Sequence, residues 1–129
     1  MNNIKNIETF IYYMIKSYEI DESCLITMYI YLLRLIDKKN KKNIMLRNNN
    51  WREIITITML LSSKYLEDDA LWASNIIEIF PSYSLHKLYR YEKSFFNRLN
   101  HSIYISTDEF NKTLIELEIM KNDGIFLIC

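Results

Sequence analysis

The chain has 129 residues, half of them hydrophobic, yet it contains one Gly and one Pro. An all-β fold spends Gly and Pro on many tight turns, so their near absence favours helices joined by Asn-, Lys- and Ser-containing loops. Sixteen basic residues balance sixteen acidic ones, which leaves no global electrostatic footprint for nucleic acid or membrane. The length suits one domain, residues 1–129, that buries a core without staples.

Ile4, Ile7, Phe10, Ile11, Met14 and Ile15 fall at helical spacing and predict a first amphipathic helix over 4–17. These apolar residues lack a small-residue cleavage site, so they do not read as a signal peptide, and Asn2 excludes N-myristoylation. Asp21 caps a second helix through Leu25, Met28, Tyr29, Leu32, Leu35 and Ile36, with Glu22 favourable in its first turn. Its wide apolar stripe should meet more than one neighbour. The polar run 37–43, with four lysines, reads as a solvated loop near a helix C-terminus, and 44–46 is a short apolar patch.

The stretch from Trp51 to Leu66 is the one around which the rest is organised. Between Glu53 and Glu67 its sole charge is Lys64, and Ile54, Ile55, Ile57, Met59, Leu60 and Leu61 cover every side of a helical wheel. A helix apolar all round is buried. Thr56, Thr58, Ser62 and Ser63 let neighbours approach, and their hydroxyls can bond carbonyls one turn earlier. The β-branched run alone would pass for a strand, but its length and the start signal Asn50 with Glu53 decide for a helix. It is too short and too hydroxylated for a membrane span, which needs about 20 apolar residues.

Glu67, Asp68 and Asp69 oppose a helix dipole, so the central helix should end near them, and Asp68 or Asp69 caps a short fourth helix through Leu71, Ala73, Ile76 and Ile77. No His or further carboxylate completes a metal site there. Beyond Pro81, Ser82 or Ser84 caps a fifth helix whose apolar face carries Leu85, Leu88, Phe95, Phe96 and Leu99, interrupted by Glu92. Ser106 with Glu109 is a capping box opening a last helix through Phe110, Leu114, Ile115 and Leu117. After the turn-like 122–124, the apolar tail 125–129 folds back or docks on a partner, without a prenylation box. Cys24 and Cys129 read as two reduced cysteines of an intracellular protein. His86 and His101 have no paired nucleophile, one Gly cannot form a phosphate loop, and no zinc-type cluster exists, so neither enzyme chemistry nor a cofactor or small-molecule ligand is expected.

Lys64 and Glu92 are thus two charges on apolar faces. Lys64 near a helix end can snorkel to solvent, and Glu92 can pair with Lys64 or an Arg as a buried bridge. Alternatively the two lie on a surface where a partner's backbone groups complete them. The residues Asn50-Trp51-Arg52, then Leu60 to Asp69 (Leu-Leu-Ser-Ser-Lys-Tyr-Leu-Glu-Asp-Asp), Trp72 and Asn75, and Leu88 to Phe96 with the exit from Leu99 to Ser106, resemble a cyclin box. The similarity covers about 5–120 and is greatest to single-box cyclins of the phosphate-regulon and cyclin Y type.

The resemblance implies an all-α cyclin-box fold. A five-helix box, about 5–105, would surround the buried central helix and be followed by a flanking helix at about 107–120. It also implies a regulatory subunit that binds and activates a cyclin-dependent protein kinase, in the cytoplasm or nucleus; the balanced charge argues against nucleic acid or membrane as a partner. In that family the Lys of the third helix and the Glu of the fifth bond kinase main-chain groups before the kinase C-helix. Those roles fall on Lys64 and Glu92, with Tyr65, Phe95, Phe96 and Leu99 lining or supporting the same surface. The family's substrate-docking patch, a Met-Arg-Ala-Ile-Leu-type start to the first helix, is not visible in Ile7 to Ile15. A nucleic-acid-binding transcription module of the same fold, or a helical scaffold without a kinase, are the competing readings.

Overall fold

Asp21 sets the first sharp boundary in the chain: its Oδ1 accepts the Cys24 N–H at 2.9 Å, fixing the start of a helix by satisfying one of the first-turn donors. The computed structural model describes residues 4–18, 20–47, 49–66, 84–99 and 103–122. Within them it contains five helices, α1 (Ile4–Tyr18), α2 (Glu22–Ile36), α3 (Trp51–Leu66), α4 (Leu85–Arg98) and α5 (Thr107–Asn122), and no strand among the described residues. This is the all-α architecture expected. The short helix expected near 68–77, the acidic run 67–69 and the apolar tail lie outside the described residues.

Helix α3 is the centre. Every residue from Ile54 to Ser63 is buried, with Thr56, Ile57, Thr58, Leu60 and Ser62 wholly inaccessible. A hydroxyl in such a place must find a partner, and each uses its own helix. Thr56 donates to the Arg52 carbonyl at 2.8 Å, Thr58 to that of Ile54 at 2.6 Å and Ser62 to that of Thr58 at 2.8 Å. The small side chains therefore admit close neighbours without leaving a polar group unsatisfied. α3 packs against α2, α4 and α1, while α2 also meets α5. At its start Trp51 is buried edge-on against Phe10 of α1, ring centroids 5.5 Å apart, and Arg52 covers the indole at 4.3 Å.

Some local expectations change. Asn50 does not cap α3 with its side chain; the amide is turned back, accepting the Arg47 N–H at 2.7 Å and donating to the Met45 carbonyl at 3.0 Å. It stabilises the entry turn, where exposed backbone groups compete for it. The lysine-rich loop, though solvated, is also docked: the Asn40 amide donates to the carbonyls of Arg34 and Arg98, Arg98 Nη1 donates to the Lys42 carbonyl, and Ile44 N–H reaches the Leu35 carbonyl. One side chain, Asn40, thus satisfies terminal carbonyls of both α2 and α4.

Ser84 caps α4 through the Lys87 N–H, and Ser106 caps α5 through that of Glu109. The Glu109 carboxylate does not complete a box; it binds Arg34 of α2 at 2.7 Å and ties α5 to that helix. Helix α5 buries Thr113 and Leu117 and half-buries Phe110 and Leu114, leaving Ile115 and Ile119 exposed. Leu85 is likewise exposed, at the first turn of α4.

Candidate functional site

The hydroxyl-rich face of α3 is used up inside the core, so the end of the helix, where Lys64 and Tyr65 emerge, is the place where it meets solvent. There residues of α3 and α4 line a groove of about 570 Å³. Leu61, Lys64 and Tyr65 form one wall, and Tyr89, Glu92, Lys93 and Phe96 the other, with Ile103 closing the end. The positions 89, 92, 93 and 96 recur at intervals of three and four, so one face of α4 supplies all of its contribution.

At the base of the groove Lys64 Nζ lies 2.6 Å from Glu92 Oε2, with side-chain exposures of 31% and 11%. The charges are paired by distance, yet Oε2 is inaccessible and has no aligned hydrogen-bond donor among the described residues. Ion-pair distance and hydrogen-bond alignment are separate requirements, and only the first is met. A carboxylate has about four lone-pair directions, more than one ammonium fills, so it can accept from further main-chain donors.

Two tyrosines fix the far end. Tyr31 of α2, wholly buried, donates its hydroxyl to the Ile103 carbonyl at 2.7 Å, and the Ile105 N–H donates to the Tyr65 hydroxyl at 3.3 Å. The rings meet edge to face with centroids 6.1 Å apart. Residues 103–105 are thereby bonded to α2 and α3, which is what brings Ile103 into the groove. Burial, reinforced by Tyr65, pushes the Tyr31 hydroxyl's pKa well above the ordinary phenol range, so it stays a donor.

Of the residues that the resemblance selects, Lys64, Glu92, Tyr65 and Phe96 stand together around this groove. Phe95 and Leu99 instead turn into the core, and Phe95 also faces a separate cleft of about 250 Å³ beside Ile44, Tyr91 and Arg98. Leu61, Tyr89, Lys93 and Ile103 are the additional lining residues. Tyr89 and Lys93 were legible as the same helical face as Glu92 and Phe96; Ile103 lay beyond any periodicity because it follows the helix. His86 is exposed on α4, and His101 lies outside the described residues. Among the described residues no three His, Cys, Asp or Glu side chains are grouped to hold a metal ion, and no helix is long and apolar enough to cross a membrane.

The family model for the N-terminal domain of cyclins matches residues 3–104, well over half of the chain. No solved structure matches the chain. An all-helical architecture wrapped on a buried α3, together with a family match that spans α1 to the end of the groove, means that this chain belongs to the cyclin family.

Proposed function

We propose that this chain is the regulatory subunit of a cyclin-dependent protein kinase and that the groove between α3 and α4 is its kinase-facing surface. Its family gives it a cyclin-like regulatory role. The single observation that supports the finer reading is Glu92: a carboxylate on the apolar face of α4, buried beside Lys64 and with one oxygen lacking an aligned donor among the described residues, in the lining of an open groove. A buried charge pair seldom improves stability over a hydrophobic pair of the same shape, so its presence at a surface groove is better explained by what it offers a partner. Tyr65, Tyr89 and Phe96 provide the apolar contact area around it.

Activation would work as a population shift. The subunit binds the kinase conformation whose C-helix is swung inward, in which the kinase's own Lys and Glu pair to orient ATP, and differential affinity for that state raises its population. In this reading the chain acts by binding alone.

The test is capture of a cyclin-dependent kinase by the tagged chain followed by a protein kinase assay. Capture with stimulated phosphorylation is expected, and Glu92→Ala should weaken it by about 2 to 5 kcal/mol, the usual loss for truncating a charge at a desolvated contact. Failure of every such kinase to bind, or an unaltered response from Glu92→Ala, would overturn the proposal in favour of a helical scaffold.

A further inference from the structure

The balanced total charge conceals a segregation. Residues 38–52 carry six cationic side chains and no acid, and residues 85–98 of α4 carry four cationic side chains and one acid, Glu92. Ten of the sixteen basic residues therefore lie in two short segments that hold one of the sixteen acids. The fold brings these segments together. The loop is fastened to the end of α4 by Asn40 on the Arg98 carbonyl, by Arg98 on the Lys42 carbonyl and by Lys42 Nζ on Asn97 Oδ1 at 3.4 Å. Asn97, Lys93 and Arg90 share one face of α4 at intervals of four and three, so a strip of cations runs from Lys42 along the helix to Lys93. Lys38, Lys39, Lys41, Lys42, Arg90 and Lys93 are all exposed. Among the described residues, the acids in or beside these segments leave a cationic excess: Asp37, whose Oδ1 accepts the Lys39 backbone N–H, keeps one negative charge at the loop end, and Glu92 is paired with Lys64. Glu53 sits in the cleft that Arg98 also lines.

We infer that this strip, from the 38–42 loop over α4 to the Lys93 rim of the groove, is a docking surface for an acidic peptide segment of a protein partner. It stands whether or not the groove binds a kinase. Along α4, from Asn97 to Arg90, the strip spans about two helical turns, or roughly 10 Å, the reach of three or so extended residues, and the 38–42 loop extends it. Its cations are mostly lysines, point charges that accept carboxylates in many registers, while Arg98, whose fork would grip a phosphate, is committed to the Lys42 carbonyl and Ser94 Oγ. The acids excluded from the strip populate the rest of the chain, so a long nucleic acid would meet repulsion on leaving it and a short acidic segment would not.

The experiment is fluorescence anisotropy of the full chain with a fluorescein-labelled hexaglutamate peptide, a neutral hexaglutamine peptide and a ten-nucleotide thymidine oligomer at low salt. Hexaglutamate binding that weakens with salt is expected, with no binding of hexaglutamine. Lys41→Glu/Lys42→Glu and Lys93→Glu should each weaken it at least tenfold, and Lys112→Glu on α5 should leave it unchanged, circular dichroism confirming that each variant is folded. Arg90→Glu, fully on the surface of α4, gives an independent readout of the same strip. Tighter binding of the oligomer than of hexaglutamate, or equal loss from Lys112→Glu, would overturn the inference.

Discussion

Lys64 and Glu92 are joined at 2.6 Å but are unequally protected, the ammonium side chain being 31% exposed and the carboxylate 11%. Removing one partner therefore has different consequences from removing the other. Lys64→Ala leaves a carboxylate in a nearly dry site and should destabilise the domain by about 2 to 4 kcal/mol. Glu92→Ala leaves an ammonium that reaches water and should cost about 1 kcal/mol or less. Denaturant melts of the two variants check this, and equal losses would show that the site is hydrated on both sides. The asymmetry also makes Glu92→Ala the cleaner probe of partner binding.

The centre of α3 tolerates shape-preserving change but not charge. Leu60→Asp should abolish folding, since an unpaired charge at a wholly buried site costs several kcal/mol, on the order of a domain's whole stability. Thr58→Val should cost about 1 kcal/mol or so, because the hydroxyl serves its own helix and an isosteric methyl replaces it. A soluble, cooperatively melting Leu60→Asp variant would show that α3 is not the core.

Tyr65→Phe should lower stability by about 1 to 2 kcal/mol, the cost of leaving the Ile105 N–H unsatisfied. The loss should be local. Amide exchange at Ile105 should accelerate more than exchange within α3, and uniform acceleration would argue that Tyr65 acts through global packing instead.

Alkaline pH should unfold the protein through Cys24. Burial, with the Asp21 charge adding to it, pushes this thiol from near 9 to about 12, and burial raises Tyr31 as well. Both folded values lie above the unfolded ones, so the stability they contribute is complete below pH 9 and is lost as pH rises towards 12. Urea midpoints from pH 8 to 11 should fall, and Cys24→Ala should flatten part of that slope while leaving the share due to Tyr31. An unchanged slope in Cys24→Ala would assign the alkaline loss elsewhere.

Local order was written in the sequence. The span of α3 follows from a run of apolar residues with hydroxyls at close-packing positions. The caps Asp21, Ser84 and Ser106 follow from residues whose side chains reach the third N–H onward. Such signals lie within one turn of helix, where a few neighbouring residues determine the geometry. The same local signals mark the central helix and set Lys64 and Glu92 apart as the two charges on apolar faces.

Where an outcome depended on residues distant in the chain, only the tertiary structure decided it. Asn50 turned back to its entry loop rather than forward, Ile115 stayed outside because α5 is packed on the side facing α2, and Phe95 and Leu99 went to the core while Phe96 went to the groove. Ile103 joined the groove because Tyr31, seventy-two residues away, bonds its carbonyl. Periodicity fixes which residues share a helix face, but the rotation of that face towards core or solvent is set by contacts between helices. For the same reason a chain of zero net charge carries a cationic strip: composition sums the charges, and folding chooses which of them become neighbours.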